Sequence, residues 1–127
     1  MSLSYKVVSK RNTLSSKHDT LYYPVLTDRK VADLRAVTDE ISRSSMINSA
    51  DVMAVMEAFR KTMLHLLKEG YNVKIDDLGT FSVHASAKGK EDPEKVSYRD
   101  ITKLSLSFLP SKDVKQQVNQ FKVRKKK

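Results

Sequence analysis

The chain has 127 residues, 39% of them apolar and 31% charged, with a formal net charge of +9 and no cysteine. That length holds one modest domain whose core would gain from a partner subunit, and the composition is that of a folded chain. Without cysteine there is no disulfide framework, thiolate nucleophile or Cys-based zinc site. The start, Met1 to Lys6, lacks a signal peptide's apolar run, and no stretch approaches the roughly 18 apolar residues of a membrane span, so a cytoplasmic location is expected.

The charge is unevenly spread. Residues 1–30 carry six basic and two acidic groups, 31–83 six and eight, 84–109 five and four, and 110–127 seven and one. A mildly acidic middle between basic ends suits a polyanionic partner, whether nucleic acid, an anionic membrane surface or an acidic protein.

In chain order, Tyr5 to Val8 and Thr20 to Leu26 read as two short strands. A polar, basic loop through Arg11, Asn12, Ser15, Ser16 and Lys17 joins them, and Pro24 makes the second an edge strand or an irregular one. A helix is predicted from Leu34 to Ser44, with Asp33 as N-cap and Leu34, Val37 and Ile41 on one face; Ser42, Ser44 and Ser45 weaken its end. The second helix starts behind Asn48, with Asp51 placed to answer it and Ile47 and Val52 as a hydrophobic staple. Val52, Val55, Met56, Phe59, Met63, Leu66 and Leu67 fall at helical spacing, and Gly70 stands where a left-handed residue would close the helix.

Tyr71 to Ile75 resumes as a strand, Asp76 and Asp77 suit a turn, Gly79 can take a backbone conformation denied to other residues, and Thr80 to Val83 restarts a strand. Ser86 to Arg99 is polar and broken by Gly89 and Pro93, before Leu104, Leu106 and Phe108 alternate as a returning strand. Ser111 caps a last helix from Lys112 to about Gln120, with Val114 and Val118 inward and Phe121 closing it. Lys122 to Lys127 reads as a disordered basic tail.

The helix followed by the hairpin Asp77-Leu78-Gly79-Thr80-Phe81 resembles the core of the HU and integration host factor family of bacterial histone-like DNA-binding proteins, whose turn is Gly-Phe-Gly-Thr-Phe. The resemblance covers residues 31–121; residues 1–30 would be the N-terminal β extension of a longer HU-like branch, adding strands to the main sheet, and 122–127 a tail. It implies an α+β HU-like fold: a two-helix dimer base, a small antiparallel sheet with a protruding β arm, and a short C-terminal helix. It also implies a homodimer in the bacterial nucleoid.

In that family the arm wraps the minor groove and a tip proline wedges between base pairs; Pro93 falls within about a residue of that proline. Its neighbours here are Glu91, Asp92 and Glu94 in place of a basic tip, and carboxylates repel phosphates. The implied DNA contacts are Lys88, Lys90, Pro93, Lys95, Arg99 and Lys103 in the arm, with Lys112 and Lys115 in the last helix. The dimer and core positions are Val52, Met56, Phe59, Met63, Leu78, Phe81 and Phe108.

Rival readings carry less weight. A second helix entering the major groove would need more basic residues than this one has. The Met and Phe stripe could be a partner groove but suits a core or dimer interface. His18, His65 and His84 stand in different elements without a second ligand at useful spacing, and Asp76-Asp77 is a turn pair before it is a metal site. No phosphate loop, nucleophile motif or paired catalytic carboxylates is present, so no enzyme, cofactor, metal or small-molecule substrate is expected. RNA binding would need more exposed stacking aromatics than Tyr98 alone in the arm. The expected function is architectural, largely sequence-independent binding, bending and condensation of double-stranded DNA, with no membrane partner. The alternative is an HU-like dimeric interaction scaffold that binds DNA weakly or not at all.

Overall fold

A computed structural model describes residues 2–11 and 19–127. The predicted loop residues Asn12, Ser15, Ser16 and Lys17, and His18, lie outside the described residues. The chain divides into two compact units, Met1–Asp33 with Asn119–Lys127, and Leu34–Val118.

The first unit is a three-stranded sheet of β1 (Leu3–Arg11), β2 (Thr20–Thr27) and β6 (Val123–Lys125), in the order β2-β1-β6. Strands β1 and β2 pair antiparallel, with Pro24 opposite Val7 on the edge strand, where its missing N–H costs no ladder bond. Two expectations are corrected. The N-terminal strands do not extend the main sheet, and the basic tail is not disordered: β6 runs parallel to β1, Leu3 beside Val123 and Tyr5 beside Lys125. Backbone pairing at β1's second edge supplies the order that the tail's own sequence lacks.

In the second unit, α1 (Leu34–Ser44) is followed by α2 (Ser49–Lys68). Ser44 and Ser45 hydroxyls donate back to the carbonyls of Glu40 and Ile41, and Ser42 donates to Ile47 O at 2.8 Å, bonds that compete with the helix and turn the chain. Asn48 Oδ1 accepts the Asp51 N–H at 2.9 Å, while its Nδ2 donates to the Asp51 carboxylate at 3.0 Å. The far end closes as a Schellman motif: Gly70 (φ +95°) donates to Leu67 O and Tyr71 to Leu66 O.

Strands β3 (Val73–Ile75), β4 (Gly79–Ala87) and β5 (Ile101–Pro110) form an antiparallel sheet in that order. Between β3 and β4 the Leu78 N–H donates to Ile75 O at 3.0 Å, and Asp77 supplies the left-handed turn residue at φ +65°. Helix α3 (Lys112–Asn119) follows β5. Ser111 caps it at Val114 N and anchors it to the turn, donating its Oγ to Asp77 O and its N–H to Leu78 O.

The core of a single chain is small: among the described residues Val52, Leu67 and Val73 are the buried apolar ones, and Thr38 is buried as well. Of the seven expected core or dimer positions only Val52 is buried; Met56, Met63 and Phe81 are half-buried. Phe59 (37% exposed), Leu78 (43%) and Phe108 (42%) are not buried within one chain. Leu34, Val37 and Ile41 also remain partly exposed, and Val118 is not buried as expected. Three helices and a narrow sheet offer too few layers to cover both faces of α2.

Candidate nucleic-acid interface

The β4–β5 ribbon outruns β3, which pairs only as far as Phe81. From Ser82 opposite Ser107 to Ala87 opposite Ile101, six residues of β4 extend the ribbon by about 20 Å. Alternation sorts its side chains onto two faces. Phe81, Val83 and Ala85 share one with Phe108, Leu106 and Leu104; Ser82, His84 and Ser86 share the other with Ser107, Ser105 and Lys103. The apolar face stays open, with Leu104 65% and Leu106 53% exposed. At its base Phe81 and Phe108 pack across the strands with their rings tilted by 39°, centroids 4.8 Å apart.

Pairing ends at a bulge beside Ser86 and Ala87, where Thr102 donates its hydroxyl to Ser86 O at 3.1 Å. Beyond it the tip is not a continued hairpin but two short 3-10 turns, Pro93–Lys95 and Tyr98–Asp100. Asp92 caps the first by accepting the Glu94 N–H, and Pro93, exposed, opens it. Ser97 and Asp100 form a capping box at the second.

Asp100 organises this tip. Its carbonyl accepts the Lys88 N–H at 2.9 Å, its carboxylate accepts the Ser97 N–H at 3.0 Å, and the same carboxylate lies 3.5 Å from Lys90 Nζ. Lys90 is thus partly neutralised within the chain. Lys88, Lys95, Arg99 and Lys103 make no ion pair with another described residue, and the Arg99 guanidinium lies 5.8 Å from the Tyr98 ring centre.

Lys88, Lys90, Pro93, Lys95 and Arg99 are therefore gathered at the tip, with Lys103 on the adjoining polar face. Lys112 and Lys115 are not part of this group. They follow Pro110, which pairs with Gly79 at the ribbon's base, about 26 Å of strand rise from Ala87. There Lys112 and Lys74 line one open cleft with Asp76, Asp77 and Asp113.

Sequence reasoning missed the row of Ser82, His84, Ser86, Ser105 and Ser107, whose hydroxyls and imidazole suit sugar and phosphate contacts. The alternating serines in both strands were its signal, once the register was known. It also missed Asp100, announced by Ser97 three residues before it.

Among the described residues no cluster of three or more His, Asp or Glu could hold a metal ion, and no helix is long and apolar enough to cross a membrane.

No curated protein matches the chain significantly. A crystal structure of a protein from Bacteroides vulgatus ATCC 8482, provisionally described as a bacterial DNA-binding protein, superposes with a TM-score of 0.66 at 12% identity. The match covers 97% of this chain and 47% of that one, so the chain spans about half of its structural relative. It supports the fold: helical base, sheet with outrunning ribbon, and added strands. A family described as an HU domain fused to a wHTH, Ig or glycine-rich motif matches residues 1–125, and the chain belongs to this HU-HIG family.

Proposed function

We propose that the chain is a non-catalytic, architectural DNA-binding protein that works as a homodimer and contacts duplex DNA largely without base readout. The observation that carries this reading is the ribbon. It projects beyond β3 with a hydroxyl-rich face and ends among Lys88, Lys95, Arg99 and Lys103, cations left unpaired among the described residues. Such groups neutralise phosphates and release counterions, which gives affinity without sequence preference. Membership of an HU-domain family supports it, as does the likeness to a protein described as binding DNA.

A second copy is the natural cover for the open apolar surface of Phe59, Leu104, Leu106 and Phe108, and two copies give two arms. The exposed Pro93 would then enter the minor groove and unstack a base step. A sharp bend costs about 1 to 6 kcal/mol by elastic estimates, which the phosphate contacts must offset.

The tip favours a second reading. Residues 88–100 carry four basic and four acidic groups, a neutral set with Lys90 held by Asp100, as suits a dimeric interaction scaffold with weak DNA binding. One experiment separates the two: titrate a short duplex with the protein at rising salt, beside sedimentation, and repeat with Pro93→Ala. Architectural binding gives a dimer, a negative salt slope and less bending in Pro93→Ala. Absence of binding at about 50 mM salt, where such contacts are strongest, refutes it in favour of the scaffold.

A further inference from the structure

The electrostatic weight of this chain lies outside the arm. The second unit, Leu34–Val118, has thirteen basic and twelve acidic residues; the first, Met1–Asp33 with Asn119–Lys127, has eleven basic and three acidic. Nearly all of the net +9 therefore belongs to the smaller unit.

The fold concentrates that charge further. By pairing with β1, β6 turns a run of cations into a positioned edge, with Arg124 beside Ser4 on the face that also carries Lys6 and Lys10. Lys126 fastens the end of this strand, its N–H donating to Tyr5 O at 2.9 Å and its Nζ reaching Asp28 at 3.2 Å. Asp28 meets it from a left-handed backbone conformation, φ +57°, directly after β2. Arg29, Lys30, Arg124, Lys125 and Lys127 then open onto one cleft, which the hydroxyls of Ser2 and Ser4 also line. Among the described residues lining it, Asp28 is the one acidic side chain, and it is engaged by Lys126.

Like charges gathered this closely repel one another, and a polyanion relieves that repulsion. Strand β6 holds the backbone of Arg124 and Lys125 in place, so less backbone freedom is lost on binding than from a loose tail.

We infer that the three-stranded sheet unit is a second nucleic-acid contact of this chain, gripping the phosphate backbone through Arg29, Arg124, Lys125 and Lys127. It rests on the DNA-binding reading above and deepens it: the sheet unit supplies most of the salt-dependent attraction, and the ribbon supplies geometry. Being tethered to the ribbon, it also raises the local concentration of DNA for the arm.

The test uses the full chain and a 20-base-pair duplex. Binding is measured from 50 to 200 mM salt, with bending followed by end-to-end energy transfer. In one variant Arg124, Lys125 and Lys127 become Gln; in a second Lys95, Arg99 and Lys103 become Gln. A third, Arg124→Lys with Lys125→Arg and Lys127→Arg, keeps the charge. Loss of three contacts lowers the logarithmic salt slope by about 2.7, so the fall in affinity across that salt range shrinks by roughly 40-fold.

The inference predicts that loss in the first variant and wild-type behaviour in the third. A slope unchanged in the first but reduced in the second overturns it and leaves the arm reading standing. The reverse, with no bending by the wild type, supports the sheet contact while refuting the architectural reading. Binding of the wild type to phosphatidylserine vesicles but not to duplex overturns it in favour of a membrane surface.

Discussion

Gly79 begins β4 between two partners, opposite Ile75 on one side and Pro110 on the other. A Cβ added there would lie 2.5 Å from the Leu109 carbonyl oxygen and 2.6 and 2.7 Å from the Cε1 and Cζ atoms of Phe108. Neither neighbour can give way cheaply. The carbonyl belongs to a paired strand, and the ring packs on Phe81. Overpacking of this kind costs about 1 to 3 kcal/mol, and two obstacles put Gly79→Ala at the top of that range. Gly70 provides the contrast: at φ +95° nothing lies within 4 Å of its added Cβ, so Gly70→Ala bears only left-handed strain, about 1 to 2 kcal/mol. Urea unfolding followed by far-ultraviolet circular dichroism, at one protein concentration for all variants, reads both. With a slope of about 2 kcal/mol per molar urea, Gly79→Ala lowers the midpoint by roughly 1.5 M and Gly70→Ala by clearly less. A Gly79→Ala midpoint equal to the wild type, or above that of Gly70→Ala, refutes the close-approach argument.

Other outcomes follow from the same geometry. Asn48→Ala removes the acceptor for the Asp51 N–H and costs about 1 kcal/mol in the same unfolding assay. Asp100→Ala unties the tip: amide exchange at Ser97 speeds up, and the released Lys90 steepens the salt slope of duplex binding by about 0.9. An unchanged slope would mean that Lys90 never reaches DNA. Leu106→Glu places a charge on the open ribbon face, and sedimentation should then report a monomer in place of the proposed homodimer; a monomeric wild type removes the basis for the dimer.

What could be read in advance was local. Asn48 with Asp51, Gly70 behind the apolar stripe, and Ser111 behind Pro110 each announce an element boundary within a few residues, and each sits where expected. The strand after Gly79 and its return through Leu104, Leu106 and Phe108 were legible because alternation is a property of one short segment. Two features were not. The tail's place in a sheet depends on β1, far away in sequence, and a run of lysines carries no period to reveal it. Phe59, Leu78 and Phe108 were expected in the core or at a dimer interface, and apolar character alone is indifferent to which chain does the covering. The tip lies between these cases. Its turns were encoded by Asp92-Pro93 and by Ser97 with Asp100, though the expected extended arm hid them.

The late pairing of β6 with β1 has a kinetic side. Strands β1 and β2 meet across a short connection, whereas Leu3 and Val123 meet across about 120 residues. Each doubling of an unstructured loop adds about 0.6 kcal/mol to its closure, so β6 is the last strand to arrive. Until it does, β1 presents a row of unsatisfied backbone donors and acceptors, and the same segment of another molecule fits that row in the same register. Refolding at high concentration should therefore trade this strand between molecules, whereas dilution keeps each molecule's own β6 in place.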